Sequence, residues 1–173
     1  FNRRYFYDKG EEALALSHKN NTPTCLALID IDHFKKINDT YGHDAGDQVL
    51  VTFCQIVRNH IRSSDIFGRF GGEEFILCLP STYPRQARLL MDKLLKLAQE
   101  LDIQGYPDIQ GTGFSAGLLH ITDPEMLAPL IKQCDELLYT AKDKGRGRYA
   151  ESSQYTGPAT APATSYQLSS PGH

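Results

Sequence analysis

No apolar run in this 173-residue chain approaches the roughly 20 residues of a membrane-spanning helix, and Phe1-Asn2-Arg3-Arg4 has no signal-peptide pattern. An excess of positive charge is also missing. Lys and Arg total 18 against 21 Asp and Glu, a formal net charge of -3, which argues against a general grip on nucleic acid polymers. Any anionic ligand must therefore be held by local groups. The four cysteines form no Cys-x-x-Cys pair, so zinc ribbons and thiol-exchange centres are excluded, and Cys25, Cys54, Cys78 and Cys134 read as buried, reduced, cytosolic thiols. There is no Gly-x-x-x-x-Gly-Lys loop, and Gly111, Gly113 and Gly117 have the wrong spacing for a dinucleotide loop. The six histidines are dispersed, without metal-ligand spacing. What remains, 40% hydrophobic and 23% charged residues, is the composition of one folded domain.

Along the chain, Tyr5 to Lys19 reads as a helix closed by Asn20-Asn21-Thr22-Pro23. Cys25 to Ile29 is apolar without alternation, which predicts a central strand covered on both faces and delivers Asp30 and Asp32 to its end. A short helical turn around Phe34 to Ile37 and a loop at Gly42 precede an amphipathic helix over Asp44 to Ile61. Strands at Ile66 to Phe70 and Phe75 to Leu79 flank Gly71-Gly72-Glu73-Glu74, where the glycines are expected to supply positive φ in a tight hairpin. A helix over Pro84 to Leu101, a strand near Gly113 to Ile121, a helix over Met126 to Lys144 and a short strand at Arg148-Tyr149-Ala150 complete the pattern. Residues 1–150 are expected to form the domain and 151–173, rich in Ser, Thr, Pro and Ala, a flexible low-complexity tail. Helices alternating with strands on a single sheet describe an α+β, α/β-sandwich fold.

The sharpest chemical feature is Asp30 together with Glu73 and Glu74. If the hairpin pairs beside the first strand, three carboxylates meet, a crowding that raises pKa values or recruits a hard cation such as Mg²⁺ or Mn²⁺. On spacing alone, solvated turn residues and a strand-end cap account for them equally well. Asp32 reads as an N-cap for the turn near Phe34. Asn38 and Asp47 flank the Gly42 loop, and a carboxylate there accepts the N1–H and N2–H pair that guanine presents and adenine lacks. A turn Asn and an acid at a helix N-terminus explain them as well. Lys142 and Arg146, four apart, suit one helix face and a phosphate, or simply the C-terminal helix dipole.

Gly71-Gly72-Glu73-Glu74-Phe75 resembles the signature of the GGDEF-family diguanylate cyclases in its GGEEF variant. So do Leu28-Ile29-Asp30-Ile31-Asp32-His33-Phe34-Lys35-Lys36-Ile37-Asn38-Asp39, Tyr41-Gly42-His43-Asp44, Gly46-Asp47, Arg69-Phe70, Tyr139-Thr140-Ala141-Lys142 and Gly145-Arg146, which extend the resemblance over about residues 1–150. It implies a palm-like nucleotide-cyclase fold with a mainly antiparallel central sheet flanked by helices. It also implies condensation of two GTP into cyclic di-GMP and two pyrophosphates, each 3'-hydroxyl attacking the other's α-phosphate.

By the same resemblance Asp30, Glu73, Glu74 and the Ile31 carbonyl hold two Mg²⁺ or Mn²⁺ per active site, and Asn38 and Asp47 read guanine. Lys142 and Arg146 take the terminal phosphates, and Phe34, Lys35, Gly71 and Gly72 complete the substrate contacts. One site holds one GTP, so turnover calls for a homodimer. Arg62-Ser63-Ser64-Asp65 resembles the family's product-inhibition motif, with Arg88 or Lys93 as the further basic residue. The family's usual opening before Asn-Arg-Arg, an Asp-x-Leu-Thr-x-Leu run leading from a sensor or dimerisation module, is not in the sequence. The expectation is a cytoplasmic catalytic domain from a longer protein that is free to be membrane-anchored elsewhere. The alternative is a catalytically silent receptor for GTP or cyclic di-GMP, although such relatives lose signature carboxylates and this chain keeps them.

Overall fold

A computed structural model describes residues 3–123 and 126–161. Its elements are α1 (Arg3–Lys19), β1 (Thr24–Ile31), α2 (Phe34–Tyr41), α3 (His43–His60), β2 (Ile66–Arg69), β3 (Glu74–Leu79), α4 (Pro84–Gln99), β4 (Phe114–Ile121), α5 (Leu127–Asp143) and β5 (Tyr149–Ser153). The sheet order is β2-β3-β1-β4-β5, antiparallel throughout except for the parallel β4–β5 pair. This is the α+β, palm-like arrangement expected from the sequence.

The unbroken apolar run of β1 is buried along its whole length because both faces are covered. Cys25, Ala27, Ile29 and Ile31 join the core with Val49 and Phe53 of α3 and Met91 and Leu94 of α4. Leu26 and Leu28 face the opposite core, with Phe6 and Leu14 of α1 and Leu130, Cys134 and Leu138 of α5. Beneath the sheet's chemical end, Phe53 packs 5.2 Å from Phe75 and 5.5 Å from Phe114, centroid to centroid. These rings brace the residues next to Glu74 and opposite Ile31.

The structure corrects several expectations. The turn at Phe34 is a full helix reaching Tyr41, because Ile37 gives it a buried face and Asn38 packs against Gly46 of α3. Cys54 is only half-buried, whereas the other three thiols are buried; burial pushes the Cys78 thiol up to about 12. The expected boundary at residue 150 falls inside β5, which continues to Ser153. Glu151 explains the extension: its Oε2 lies 2.8 Å from Nε2 of the fully buried His120, and Arg88 of α4 donates to both its oxygens at 3.0 Å. The other His120 nitrogen sits 3.0 Å from Cys25 Sγ, so the contact reaches the core. Burial raises the Glu151 carboxyl, but the His120 and Arg88 hydrogen bonds outweigh it and hold the group below its ordinary range. Beyond the strand, the Arg85 N–H donates to the Ala159 carbonyl at 3.1 Å. Residues 162–173, the rest of the expected tail, lie outside the described residues. Among those described, no helix is long and apolar enough to cross a membrane.

Candidate active site

The strand register brings the acidic residues together. Asp30, at the end of β1, stands opposite Glu74, the first residue of β3, and the Ile31 N–H donates to the Glu73 carbonyl at 3.2 Å. That bond makes Ile31 and Glu73 the hydrogen-bonded pair, so Asp30 and Glu74 form the closer, non-hydrogen-bonded pair with side chains on one face. It is the α5 face, and Lys142 Nζ of α5 lies 3.1 Å from Asp30 Oδ2. Burial pushes the Asp30 carboxyl above its ordinary range, Lys142 pulls it back, and Glu73 and Asp32 push it up again. Burial likewise raises Glu74, reinforced by Asp30 and opposed by Lys142. Among the described residues no three His, Cys, Asp or Glu side chains are already gathered as a metal cage. The donor set nevertheless suits a hard cation, since Glu73 pushes Asp30 up and Asp30 pushes Glu74 up, leaving excess negative charge to share.

The turn carrying Glu73 is built differently from the expectation. Gly71 and Gly72 do not have positive φ. At Gly71 space rather than φ is what glycine supplies: a Cβ there would lie 3.1 Å from Glu74 Oε2, which would have to shift by a few tenths of an ångström. The turn is closed by Phe70 and Gly71 N–H groups donating to the Glu74 carbonyl at 2.8 and 3.3 Å. Arg69 clamps it from outside, with Nε donating to the Gly71 and Gly72 carbonyls at 3.2 and 2.9 Å and a second guanidinium nitrogen to Gly72 at 2.7 Å. Sequence reasoning gave Arg69 no task. The signal was an arginine directly before a turn whose carbonyls have no strand partner. Arg3 of α1 then lies 4.3 Å over the Phe70 ring, joining the N-terminal helix to the hairpin.

Asn38 and Asp47 come from the helix pair α2–α3, hinged at Gly42 with φ 90°. Gly46 lets the helices meet: a Cβ there would overlap Asn38 Oδ1 and lie 3.1 Å from Phe34 Cζ. Asp47, the next residue, is exposed beside that contact, and Lys35 is exposed on α2. Gly46→Ala is therefore expected to displace the Asn38 amide with little loss of helix content, as read by the Asn38 side-chain amide resonances and circular dichroism. A cavity of about 280 Å³ on the other flank of α2 is lined by Asp32, His33 and Lys36 rather than by Asp30, Glu73 or Glu74.

Two further expectations change. Asp32 does not cap α2; His33 precedes that helix in the left-handed region, and the Asp32 carboxylate instead takes hydrogen bonds from Ser115 and Gly147. Its proximity in sequence to Phe34 was misleading because these partners are 83 and 115 residues away. Arg146 does not share a helix face with Lys142, since α5 ends at Asp143 and Arg146 stands in the following turn at φ 62°.

Away from this end of the sheet, Arg62 and Asp65 form a local turn. The Arg62 N–H donates to Asp65 Oδ2 at 2.8 Å, the Asp65 N–H donates back to the Arg62 carbonyl at 3.0 Å, and Arg62 also bonds Thr82 Oγ1. Burial raises the Asp65 carboxyl against the pull of Arg62, and its Oδ1 is buried with no hydrogen-bond partner. A depression of about 250 Å³ joins Arg62 and Asp65 to Gln86 and Leu90 of α4. Lys93, three residues beyond Leu90 and seven beyond Gln86, shares that helix stripe; Arg88 points to Glu151 instead.

Known proteins match this sequence and fold over most of the chain. The profile of the family described as "Diguanylate cyclase, GGDEF domain" matches residues 1–148. The chain is 37% identical over 152 residues to the probable diguanylate cyclase DgcT of Escherichia coli K12, covering 86% of this chain and 33% of that protein. With the diguanylate cyclase DgcP of Pseudomonas aeruginosa it shares 35% over 147 residues, 85% of this chain and 22% of that one. It thus spans about a third or less of these relatives. The active GGEEF domain of a Vibrio cholerae diguanylate cyclase superimposes with a TM-score of 0.79 at 31% identity, covering 87% of this chain and 96% of that one. The GGDEF domain of Caulobacter crescentus DgcB, solved in complex with c-di-GMP, gives 0.78 at 28%, covering 87% and 90%. Its register, signature turn and these matches together make the chain a member of the GGDEF diguanylate cyclase domain family.

Proposed function

We propose that this domain condenses two GTP molecules into cyclic di-GMP, releasing two pyrophosphates. The observation that carries the reading is the Asp30–Glu74 register pair, two carboxylates on facing strand positions where burial raises both, Glu73 raises Asp30 and Asp30 raises Glu74, a crowding that favours a cation. Asp30, Glu73, Glu74 and the Ile31 carbonyl would hold Mg²⁺ or Mn²⁺, two per site. When bound, such ions lower the pKa of an attacking hydroxyl and stabilise charge on the leaving oxygen.

The chain's own groups supply the rest. Asp47 accepts the guanine N1–H and N2–H, Asn38 bonds the base edge, and together they select guanine over adenine. Phe34, Lys35, Gly71 and Gly72 border the bound nucleotide. Lys142 and Arg146 would neutralise the terminal phosphates, with Lys142 giving up its Asp30 partner for phosphate. In this reading Glu73, on the turn, also accepts the 3'-hydroxyl proton. One domain binds one nucleotide, so the nucleophile arrives from a second domain facing it, and an antiparallel homodimer is the working form.

Incubating concentrated protein with GTP and Mg²⁺, followed by chromatography and mass spectrometry, tests this reading directly. Cyclic di-GMP is the expected product; none from the domain fused to a dimerising helix and freed of bound nucleotide would leave a receptor instead.

Product inhibition is assigned to the Arg62–Asp65 turn. Arg62 stacks on guanine and pairs with its O6 and N7, and the buried Asp65 keeps the arginine in place. Of the two further basic residues, the Gln86–Leu90 stripe favours Lys93, because Arg88 is occupied by Glu151. Lys93→Ala is expected to raise the cyclic di-GMP concentration for half inhibition about tenfold relative to Arg88→Ala, whose main effect is a lower melting temperature. Inhibition titrations and thermal melts of the two variants decide between them.

A further inference from the structure

Asp32 is 7% exposed, and the protein's own groups take both of its carboxylate oxygens. Oδ1 accepts from the Ser115 hydroxyl at 2.7 Å and Oδ2 from the Gly147 N–H at 2.9 Å. The Asp32 N–H donates to the Gly113 carbonyl at 2.9 Å. A Cβ on Gly113 would lie 3.4 Å from Asp32 Oδ2 and 4.0 Å from Gly147 Cα, so these three segments are in contact. One buried carboxylate thus ties the end of β1 to the entry of β4 and to the turn between α5 and β5.

That turn holds an unusual backbone. Gly145, Arg146 and Gly147 have φ of 112°, 62° and 61°. Glycine adopts such angles freely, but arginine does so only where its surroundings impose them. They do so on both sides: the Arg146 N–H donates to the Ala141 carbonyl at 3.1 Å, and the next N–H is the one held by Asp32.

We propose that Asp32 is a positioning residue for the polyphosphate end of the substrate. By gripping the Gly147 amide it sets Arg146 in the left-handed conformation, so the guanidinium is presented at the carboxylate end of the sheet before the nucleotide arrives. The ordering cost is then met on folding rather than on binding. The proposal rests on the reading of Arg146 as a phosphate-holding residue.

The test compares 3'-deoxy-GTP, which carries no nucleophile to react, with GMP, which carries no terminal phosphates, by titration in Mg²⁺. Asp32→Asn keeps shape and volume but sets an amide N–H against one of the two donors. It is expected to weaken 3'-deoxy-GTP binding about tenfold and leave GMP unchanged. In an Arg146→Ala background the same substitution is expected to add nothing further. Equal weakening toward both nucleotides would indicate a purely structural role and overturn the proposal, as would a loss that persists in the Arg146→Ala background. Arg146→Ala with full affinity for 3'-deoxy-GTP overturns the proposal through the reading beneath it. Arg146→Ala weakened beside an unaffected Asp32→Asn overturns the proposal alone.

Ser115→Ala loosens the same carboxylate from its other side and keeps the test open if Asp32→Asn does not fold; a smaller loss, again confined to 3'-deoxy-GTP, is expected. Hydrogen exchange of the Gly147 amide gives a direct reading. Slow exchange in the unsubstituted protein and release in Ser115→Ala support the clamp, and exchange at the rate of an open loop in the unsubstituted protein refutes it.

Discussion

Glu74→Gln is expected to reduce cyclic di-GMP formation by about a thousandfold or more while leaving a folded protein that melts no lower than its parent. Glu74 shares the end of the sheet with Asp30 in the closer type of antiparallel pair, and its carboxyl is raised by burial and by Asp30. Glutamine keeps the shape and removes the charge a cation needs. The stability side follows from linkage. A carboxyl with a folded pKa above its unfolded one makes the native state hold more protons between those values, so metal-free stability falls as pH rises through that window. Above it the penalty is complete, and glutamine removes it. Glu74 is partly open to solvent, so the gain is small after screening. The two measurements are a turnover assay and a thermal melt without divalent cation. Near-normal turnover, or a marked drop in melting temperature, would count against the assignment. For the same reason, if Asp30 and Glu74 hold the cation as proposed, the apparent Mg²⁺ affinity of the metal-free domain is expected to weaken on acidification at a higher pH than ordinary carboxylates would give, as read by metal titration across pH.

Gly117→Ala carries the largest expected loss of stability. Gly117 lies in β4 beneath α5, and a Cβ on it would overlap the Cys134 carbonyl oxygen, with the Leu138 nitrogen at 2.7 Å and Leu137 Cβ at 2.9 Å. Two of those atoms are helix backbone, which cannot swing aside as a side chain does. α5 must lift from the sheet, opening contacts made by the buried Leu130, Cys134 and Leu138. Overpacking of this kind costs about 3 kcal/mol. The same displacement moves Lys142, near the C-terminal end of the helix, away from Asp30. A clear fall in denaturation midpoint is therefore expected together with weaker GTP binding, measured by urea unfolding and nucleotide titration. A variant with unchanged stability would show that the helix tolerates the added methyl group. The glycine that looks like a stray member of a dinucleotide loop is in fact the place where a helix touches a sheet.

These residues separate what is local from what is not. The helices at Tyr5–Lys19, Asp44–Ile61 and Pro84–Leu101 were legible because apolar periodicity expresses one buried face, and each appears within a few residues of its expected bounds. The central position of β1 was legible because an apolar strand without alternation needs cover on both sides. The turn at Gly71-Gly72 was legible as a turn, but its geometry was not: φ there is ordinary, and the demand on Gly71 comes from the Glu74 side chain folding back. β5 beyond residue 150 was illegible, since Glu151, Ser152 and Ser153 have the composition of a tail and become a strand through His120 and Arg88.

The sequence by itself determined which chemical groups this domain owns and the family to which it belongs, since a signature is a run of side chains whose order survives without coordinates. Tertiary structure alone decided their relations. It set Asp30 beside Glu74 and Lys142 against Asp30, and it turned Asp32 from a helix cap into a tie to Gly147. It also engaged Arg88 with Glu151 rather than with the Arg62 turn. The physical reason is range. Propensity and periodicity act over one or two helical turns, whereas strand register and buried hydrogen bonds join residues far apart in the chain. Only the packed sheet specifies which carboxylate meets which donor.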